Sequence, residues 1–397
     1  MRVTLAGIGC GTPDTVTAEV RGALARADYL VGAKRLLDRL PEGISPRRDA
    51  AVRPGDIVEL LQSSGCDEAC VLYSGDSGFY SGARVLLPLL KEAGIEAQVL
   101  PGVSSVQYLA AKLGRPWQDW ALFSAHGVEC DAVSAVCRGA PACFLTGGTL
   151  GPADLCRQLA EAGLGPLSVT AGENLSYPDE RIQAGSAEEF ARREFAPLSI
   201  LLAEPAPTLP RRTPGIPDGA FLRGAVPMTK QEVRAAALAK LSAGPEDVCW
   251  DIGAGTGSVS VELALQTKAV WAVERSPEAL ALARANRERF CAWNLRLLEG
   301  SAPAALSSLP PPDAVFIGGS GGSLAQILEA VHSANPSARV CVSAVALETL
   351  HAARLGLASL GYETEVAQIA VSRTKTAGAL HLLTAQNPVF LITGVRP

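Results

Sequence analysis

Short apolar runs, each ending in small or polar residues, recur along the chain and alternate with longer segments of helical character. In the first half they are RVTLAGIG, ACVLYSG, EAQVLPG, WALFSAHG, APACFLTGG and PLSILLAEP; in the second, DVCWDIGAG, AVWAVE, LRLLEG, DAVFIGG and ARVCVSAV. Alternation of strand, small-residue turn and helix predicts α/β layering around a largely parallel sheet. Ligands bind such sheets at the carboxyl ends of the strands. We therefore expect binding sites at the turns that follow these runs.

A proline-rich stretch, AEPAPTLPRRTPGIPDG, separates the two halves. Five prolines in 13 residues cannot sustain a helix or a central strand, and such a segment behaves as a semi-rigid linker. A chain of 397 residues also exceeds what one hydrophobic core usually serves. We predict two α/β domains, residues 1–204 and 223–397, joined by a linker over residues 205–222.

Composition excludes several classes of function. A net charge of −5 and an aromatic content of 5% argue against a nucleic-acid-binding protein, which needs a basic surface and aromatic side chains for base stacking. No apolar run suits a signal peptide or a membrane helix. The ten cysteines are scattered, and the four histidines include no pair at i, i+4, so we expect no metal site. Reduced, mostly buried thiols predict a cytoplasmic protein.

The second half contains a glycine-rich turn between an apolar strand and an amphipathic helix. In VCWDIGAGTGSVSVELA, Gly253, Gly255 and Gly257 let a ligand approach the backbone and free the helix N-terminus. A dinucleotide fingerprint would need a further glycine where Ser258 stands. The spacing therefore disfavours a nicotinamide cofactor.

An acidic residue follows the glycines at the end of the next strand. AVWAVE ends in Glu274, about twenty residues on, where a carboxylate accepts hydrogen bonds from the ribose hydroxyls of an adenosyl ligand. A surface glutamate after an ordinary strand is the alternative. Upstream, Thr229 and Glu232 have the spacing of a capping box at the start of a helix.

Six motifs, GAVPMTKQEVRA, DIGAGTG, AVER, EGSAP, VFIGGSGG and NPVFLITG, follow one another over residues 224–394. In this order they resemble the C-terminal, decarboxylating half of precorrin-6Y methyltransferases. The resemblance implies a Rossmann-like class I methyltransferase domain that contacts S-adenosylmethionine through Thr229, Gly253, Ala254, Gly255, Thr256, Gly257, Glu274 and Ala302. The family usually has Asp where this chain has Ser301. A hydroxyl there would bind an adenine amino group less strongly than a carboxylate.

Three polar or glycine-rich turns also follow strands in the first half. They are Gly7 to Gly11, Ser74 to Gly78, and Gly102 to Ser105. The first is not a dinucleotide site, because Thr12 stands where the last glycine should be. Each turn alone could be a tight turn with a polar cap. Three of them at strand ends favour a common ligand.

Together with SAHG and GENLSYPDERI, these turns resemble the tetrapyrrole methylase family, in particular its carbon-5 methylating precorrin-6Y member, over about residues 2–204. The resemblance implies a cofactor held between two α/β lobes. The cofactor contacts it implies are Gly9, Asp76, Ser77, Gly78, Ser104 and Ser105. His126, in SAHG, is a candidate catalytic acid–base group, and a hydrogen bond from it to substrate is the alternative.

The two resemblances together imply two S-adenosylmethionine sites per chain. The implied reaction methylates precorrin-6Y at carbons 5 and 15 and removes the ring-C acetate carboxyl, giving precorrin-8X in cobalamin biosynthesis. A cobalt-containing substrate of the anaerobic route is an alternative. So is a single-site enzyme whose N-terminal half presents substrate. A carrier without activity is a third, since fold does not fix function.

The implied substrate has a carboxylate-rich rim, while the chain is net acidic. Local cations must therefore line the pockets. The candidates for substrate binding are Arg35, Arg181, Lys230, Arg373 and Lys375, each of which could instead be a solvated surface charge. We also expect a closed homo-oligomer, as is common for such domains.

Overall fold

The structure is a computed structural model that describes residues 1–40, 43–44, 46–208 and 214–396. It divides into two compact units, Met1–Ala206 and Pro207–Pro397. Residues 209–213 of the predicted linker lie outside the described residues.

The N-terminal unit consists of strands and short helices in alternation. Its strands are β1 (Arg2–Gly7), β2 (Tyr29–Gly32), β3 (Arg47–Ala50), β4 (Glu68–Tyr73), β5 (Glu96–Leu100), β6 (Ala121–Ser124), β7 (Ala142–Leu145), β8 (Ser168–Glu173), β9 (Arg181–Ser186) and β10 (Ser199–Ala203). Its α-helices are α1 (Ala18–Arg26), α2 (Lys34–Leu37), α3 (Pro54–Ser64), α4 (Ala83–Glu92), α5 (Ser105–Leu113), α6 (Ala132–Val136), α7 (Pro152–Leu159) and α8 (Ala187–Phe190), with a 3-10 turn at Pro13–Thr15 and a π-helical turn at Ala160–Leu164.

These strands form two five-stranded sheets, one in each lobe of the unit. The first has the order β3-β2-β4-β1-β5, and all its strands are parallel. The second, β6-β7-β10-β8-β9, is mixed, with β6 and β7 parallel and the remaining pairs antiparallel. In the first sheet β1 lies between β4 and β5. The turns that follow these three strands therefore meet at one edge.

Helix α5 shows how a local sequence fixes an element beside that edge. The Ser104 hydroxyl accepts a hydrogen bond from the backbone N–H of Val106, and the Gln107 side chain accepts one from the N–H of Ser104. This capping box satisfies the first donors of the helix. At the other end, Gly114 has the left-handed conformation (φ 62°) that closes many helices. Leu109 then packs in the core with residues of β10.

The C-terminal unit again alternates strands and helices. Its strands are β11 (Val248–Ile252), β12 (Ala269–Glu274), β13 (Leu295–Glu299), β14 (Ala314–Ile317), β15 (Arg339–Ala344), β16 (Glu363–Ile369), β17 (Ser372–Ala377), β18 (Leu380–Ala385) and β19 (Val389–Val395). Its α-helices are α9 (Gln231–Leu241), α10 (Ser258–Ala264), α11 (Pro277–Arg289), α12 (Leu324–Ala334) and α13 (Leu347–Ser359), with 3-10 turns at Asp218–Ala220 and Ala304–Ser308.

Seven of these strands form one sheet in the order β13-β12-β11-β14-β15-β19-β16. The first five are parallel, and β19 runs antiparallel to both of its neighbours. Successive residues of β11 serve opposite faces: Cys249 belongs to the core on one side and Trp250 to the core on the other. The strand order reverses between β11 and β14, which is where such sheets bind ligands. Strands β17 and β18 form a separate hairpin.

The α/β class and the parallel sheets predicted from the sequence are confirmed. The predicted apolar runs do not include β2, β3, β8, β9, β16, β17, β18 or β19. Most of these are polar or exposed, so they lack the apolar run that identified the others.

The structure also differs from the predicted linker over residues 205–222. Ile216 and Phe221 are buried in the C-terminal core. The backbone N–H groups of Gly215 and Ile216 donate hydrogen bonds to the Glu262 carboxylate, at 2.6 and 3.0 Å. In the described part of this segment the one regular element is the 3-10 turn at Asp218–Ala220, as its many prolines lead one to expect. The prolines do not keep the intervening apolar side chains out of a core.

Candidate active sites

A cavity of about 1100 Å³ lies at the carboxyl edge of the C-terminal sheet. The segments after β11, β12 and β14 and the segment before α9 contribute walls. The site residues assigned from the sequence that line it are Thr229, Gly253, Ala254, Gly255, Thr256, Glu274 and Ala302. Ser301 also lines the cavity, whereas Gly257 does not. A Cβ on Gly257 would lie 3.0 Å from the Cβ of Ala283, so that glycine instead permits close packing of α10 against α11.

Backbone N–H groups hold the Glu274 carboxylate in place. Its Oε2 accepts a hydrogen bond from the N–H of Gly255 at 2.9 Å. Its Oε1 accepts from the N–H groups of Arg275 and Ser276, at 2.8 and 2.9 Å. A carboxylate has about four acceptor positions, so one remains for a ligand.

The glycine turn brings two backbone segments together. A Cβ on Gly253 would lie 2.7 Å from the carbonyl oxygen of Gly319, so the turn after β11 and the loop after β14 require a glycine at this crossing. Beside it, the Thr256 hydroxyl is buried and has no hydrogen-bond partner within the described residues. An unpaired buried hydroxyl in the wall of a cavity is suited to a polar ligand.

Asp251, at the base of this turn, is fully buried and does not line the cavity. The Ser260 hydroxyl donates a hydrogen bond to its Oδ2, while Oδ1 has no partner among the described residues. The pKa of Asp251 is raised to about 7, mainly by burial and to a smaller extent by the nearby Glu274 charge. The Ser260 bond acts in the opposite direction.

The predicted substrate cations of this unit occupy different environments. Lys230 lines the cavity. Arg373 does not line it and forms ion pairs with Asp218 and Glu232. Lys375, two residues further along β17, is exposed and does not line the cavity either. Arg275 also lines the cavity. It ends the AVER motif, in which Glu274 alone was given a role, so it was not among the predicted substrate cations.

The predicted capping box at Thr229 and Glu232 is wrong. Helix α9 begins at Gln231, and its N-cap, Lys230, makes no side-chain capping bond. The Glu232 carboxylate is bound by Arg373 instead, and that guanidinium holds the pKa of Glu232 below its usual value. A long-range ion pair has replaced the local hydrogen bond.

A buried arginine fixes the segment before α9. The Arg234 side chain is fully buried and donates to the Glu262 carboxylate and to the carbonyl oxygens of Ile216 and Thr229. Its guanidinium also lies 4.7 Å from the centre of the Phe221 ring. Thr229 is thereby held in the cavity wall through its backbone.

The N-terminal unit has a smaller cavity, of about 240 Å³, lined by residues of both lobes. The assigned residues that line it are Arg35, Asp76, Ser104, Ser105 and His126. Lining residues that were not predicted from the sequence include Cys10, Tyr80, Thr146 and Ser199. Gly9, Ser77 and Gly78 do not line it.

Three strand-end turns pack tightly beside this cavity. Gly9 and Gly75 exchange backbone hydrogen bonds of 3.1 and 2.7 Å. A Cβ on Gly102 would lie 2.2 Å from the carbonyl oxygen of Gly75 and 2.4 Å from that of Gly7. The glycines of this half therefore let the ends of β1, β4 and β5 approach one another.

Several of the assigned polar side chains hydrogen-bond to these turns. The Ser77 hydroxyl is buried and donates to the carbonyl oxygen of Leu100 at 2.8 Å. Asp76 accepts from the N–H of Gly78 at 2.7 Å through Oδ1. Its Oδ2 has no hydrogen bond within the described residues. Ser77 and Gly78 thus shape the site, while Asp76 can also contact a ligand.

His126 lies against Gly147 in the second lobe. A Cβ on Gly147 would be 2.1 Å from the imidazole Nδ1, so only glycine leaves room for this ring position. The imidazole makes no hydrogen bond within the part of the chain that the structure describes. It remains available to a ligand in the cavity.

Two other groups near this site have other roles. Arg181 donates hydrogen bonds to both oxygens of the buried Glu173 carboxylate and does not line the cavity. Cys10 does line it, but the pKa of its thiol is raised to about 12, mainly by burial and also by the nearby Glu180 charge. A thiol with that pKa is not an activated nucleophile.

Among the described residues, no group of three or more His, Cys, Asp or Glu side chains is placed to hold a metal ion. Within the same residues, no helix has both the length and the apolar character that crossing a membrane requires.

Two family models match the chain, one for each unit. Residues 2–191 match the tetrapyrrole (corrin/porphyrin) methylases, and residues 220–396 match the precorrin methyltransferase domain. The chain is 32% identical to a decarboxylating precorrin-6Y C(5,15)-methyltransferase of Sinorhizobium over 89% of its own length and 88% of that protein.

The C-terminal unit also has single-domain relatives. A decarboxylating cobalt-precorrin-6B C(15)-methyltransferase of Salmonella typhimurium is 43% identical over 44% of this chain and 93% of that protein. A crystal structure of a precorrin-6Y C5,15-methyltransferase from Geobacter metallireducens is 40% identical, with a TM-score of 0.45, over 47% of this chain and 100% of that chain.

Proposed function

Since this chain belongs to the family of decarboxylating precorrin-6Y C5,15-methyltransferases, we propose that its N-terminal unit methylates carbon 5 and its C-terminal unit methylates carbon 15. The enzyme is a decarboxylating C-methyltransferase of cobalamin biosynthesis. On this proposal it converts precorrin-6Y to precorrin-8X, with loss of the ring-C acetate carboxyl as carbon dioxide. The observation that carries the division is that each unit has its own cavity beside glycine turns at strand ends.

The C-terminal cavity fits S-adenosylmethionine, the methyl donor of this family. Glu274 is held by backbone donors with an acceptor position to spare, which suits a ribose hydroxyl. The unpaired Thr256 hydroxyl and the glycine turn beside it suit the polar part of the cofactor. Ser301 and Ala302 line the same cavity and suit the adenine. When bound, this cofactor supplies a methyl group already activated on a sulfonium.

For the N-terminal cavity we propose a second S-adenosylmethionine site. Asp76, Ser104 and Ser105 line it from the first lobe, and the Asp76 carboxylate retains a free oxygen. Gly9, Ser77 and Gly78 support the site by shaping the turns. In this assignment the cofactor lies between the two lobes of the unit.

The residues of both sites act by binding and orientation. The acceptor carbons of a precorrin are nucleophilic by conjugation, so the protein needs to align them with the methyl donor and exclude water. This accords with a Cys10 thiol that stays protonated and with a His126 imidazole placed for a hydrogen bond to substrate. We assign no covalent catalyst.

The tetrapyrrole rim carries carboxylates, and unpaired cations suit them. Lys230 and Arg35 each line one cavity. Arg181 and Arg373 are held in ion pairs, so they are weaker candidates, as is the exposed Lys375. We propose a metal-free substrate, since a relative that matches 89% of the chain is named for a precorrin and not for a cobalt-precorrin.

We further propose a cytoplasmic homo-oligomer. All ten cysteines are free thiols, as in a reducing compartment. Leu380, Leu382 and Leu383 on β18 are 66, 51 and 74% exposed. Large apolar side chains gathered on one exposed hairpin are suited to a subunit interface.

The test is one incubation of the full chain with the precorrin and labelled S-adenosylmethionine, followed by product mass. We expect a gain of two methyl groups and a loss of carbon dioxide. Calorimetry should give two S-adenosylhomocysteine molecules per chain. Glu274→Ala should weaken one of these binding events by about 2–3 kcal/mol, the range for a charged acceptor. One methyl group and one cofactor per chain would instead support a single-site enzyme.

A further inference from the structure

The C-terminal cavity contains more positive charge than its cofactor requires. Among the described residues that line it, Glu274 is the one carboxylate, and Lys230 and Arg275 are the cations. Glu274 already accepts three backbone hydrogen bonds. The Arg275 and Lys230 side chains form no ion pair or hydrogen bond within the described chain. A cavity with two unpaired cations favours an anionic ligand.

Arg275 lies where the walls of the cavity meet. It directly follows Glu274 at the end of β12, and its guanidinium reaches the loop after β14. A Cβ on Gly321 would be 3.5 Å from the Arg275 Nη1. Ser320 and Ser323 of that loop line the same cavity. The guanidinium therefore lies against the Gly321 backbone, in a loop whose serines face the same cavity.

The other arginines around this site are already engaged. Arg234 is fully buried against Glu262, and Arg373 is paired with Asp218 and Glu232. Arg275 is exposed and unpaired, so it is accessible to a ligand that enters the cavity. A guanidinium binds a carboxylate through two parallel hydrogen bonds, a geometry that a lysine cannot reproduce.

We propose that Arg275 binds a carboxylate on the rim of the tetrapyrrole and makes the C-terminal site selective for macrocycles rich in carboxylates. This rests on the proposed function, which supplies the tetrapyrrole. The carboxylate bound is one that the product retains. A cation that stabilised the leaving carboxylate in the ground state would oppose its loss as carbon dioxide.

The test compares the binding of two porphyrins, one with eight carboxylates and one with two, to the full chain saturated with S-adenosylhomocysteine. Arg275→Gln should weaken binding of the octacarboxylate at least fivefold and leave the dicarboxylate within twofold. Arg275→Lys should recover only part of the loss. The matched control is Arg284→Gln, an exposed arginine on α11 that does not line the cavity, and it should bind both porphyrins as the parent does.

Titration with S-adenosylhomocysteine alone tests the alternative, in which Arg275 binds the cofactor and not the tetrapyrrole. If Arg275→Gln weakens this binding as much as it weakens the octacarboxylate, Arg275 serves the cofactor and the proposal is overturned. Equal loss for both porphyrins would also overturn it, because selectivity would not depend on this charge. Failure of the parent to methylate a precorrin would count against the proposed function. The porphyrin comparison would still decide whether Arg275 selects carboxylates.

Discussion

In both units glycine lets backbone segments at the ends of parallel strands approach closely, but the polar groups beside those glycines have different roles. In the C-terminal unit, one glycine turn and one fixed carboxylate border a cavity of about 1100 Å³. In the N-terminal unit, three turns pack on one another, several polar side chains hydrogen-bond to those turns, and the cavity is about 240 Å³. The first arrangement leaves polar groups for a ligand, and the second uses many of them to build the site. A glycine-rich turn therefore indicates a ligand site only when the polar groups beside it are not already hydrogen-bonded within the protein.

The largest effect should come from Arg234, which belongs to one unit alone. Arg234→Ala leaves the Glu262 carboxylate buried without its partner, which should cost about 3–5 kcal/mol of unfolding free energy. Carbon-15 methylation should be lost while carbon-5 methylation persists. Urea unfolding followed by tryptophan fluorescence, with each methylation assayed, measures both. Arg354→Ala, an exposed arginine on α13, is the control. Equal loss of both methylations would show that the two units do not function separately.

Asp251 should make the stability of the C-terminal unit depend on pH. Its folded pKa of about 7 lies above its ordinary value of 3.8, so between these values the folded chain holds a proton that the unfolded chain has released. Stability should therefore fall as pH rises through this window, by a few kcal/mol, and change no further above it.

Asp251→Asn removes that proton and keeps an acceptor for Ser260. Relative to the parent, the variant should gain stability from pH 4 to pH 7, as measured by urea midpoints at several pH values. No comparable change is expected in an Asp28→Asn variant of the N-terminal unit, since backbone hydrogen bonds lower the pKa of Asp28. If the urea midpoints of the parent and of Asp251→Asn changed with pH in the same way, the raised pKa of Asp251 would be contradicted.

Gly102 tests the packed turns of the N-terminal unit. Gly102→Ala would place a Cβ 2.2 Å from a backbone oxygen, and the resulting shift should cost about 1–3 kcal/mol. Carbon-5 methylation should fall while carbon-15 methylation is kept. Gly55→Ala, in α3, meets nothing within 4 Å and serves as the matched control. If both substitutions had the same effect on stability, close approach of the strand ends would not be what requires glycine at position 102.

His126 should give the smallest effect. If it only hydrogen-bonds substrate, His126→Asn should raise the KM for carbon-5 methylation about fivefold, the value of roughly 1 kcal/mol for one hydrogen bond, with kcat nearly unchanged. Steady-state kinetics at saturating methyl donor separates the two constants. A fall in kcat of a hundredfold or more would instead identify His126 as a general acid or base.

Local sequence was sufficient to predict the turns at the strand ends and the acidic residue Glu274, because these depend on residues that are neighbours along the chain. The turn from Gly253 to Thr256 follows a strand and precedes a helix, and Glu274 ends the next strand, so the pattern of residues alone places both at one sheet edge. The same holds for the three turns of the N-terminal unit. Parallel strands bring their carboxyl ends together whatever lies between them.

Tertiary structure alone decided which charges and apolar groups are available. Arg373 was a substrate candidate by sequence, but it pairs with Asp218, 155 residues away. Arg275 was not a substrate candidate by sequence, yet it is the arginine left unpaired among the described residues of the cavity. Ile216 stands among prolines and is nevertheless buried. Ion pairing and burial depend on segments distant in sequence that folding brings within a few ångströms, and no pattern of neighbouring residues records that distance.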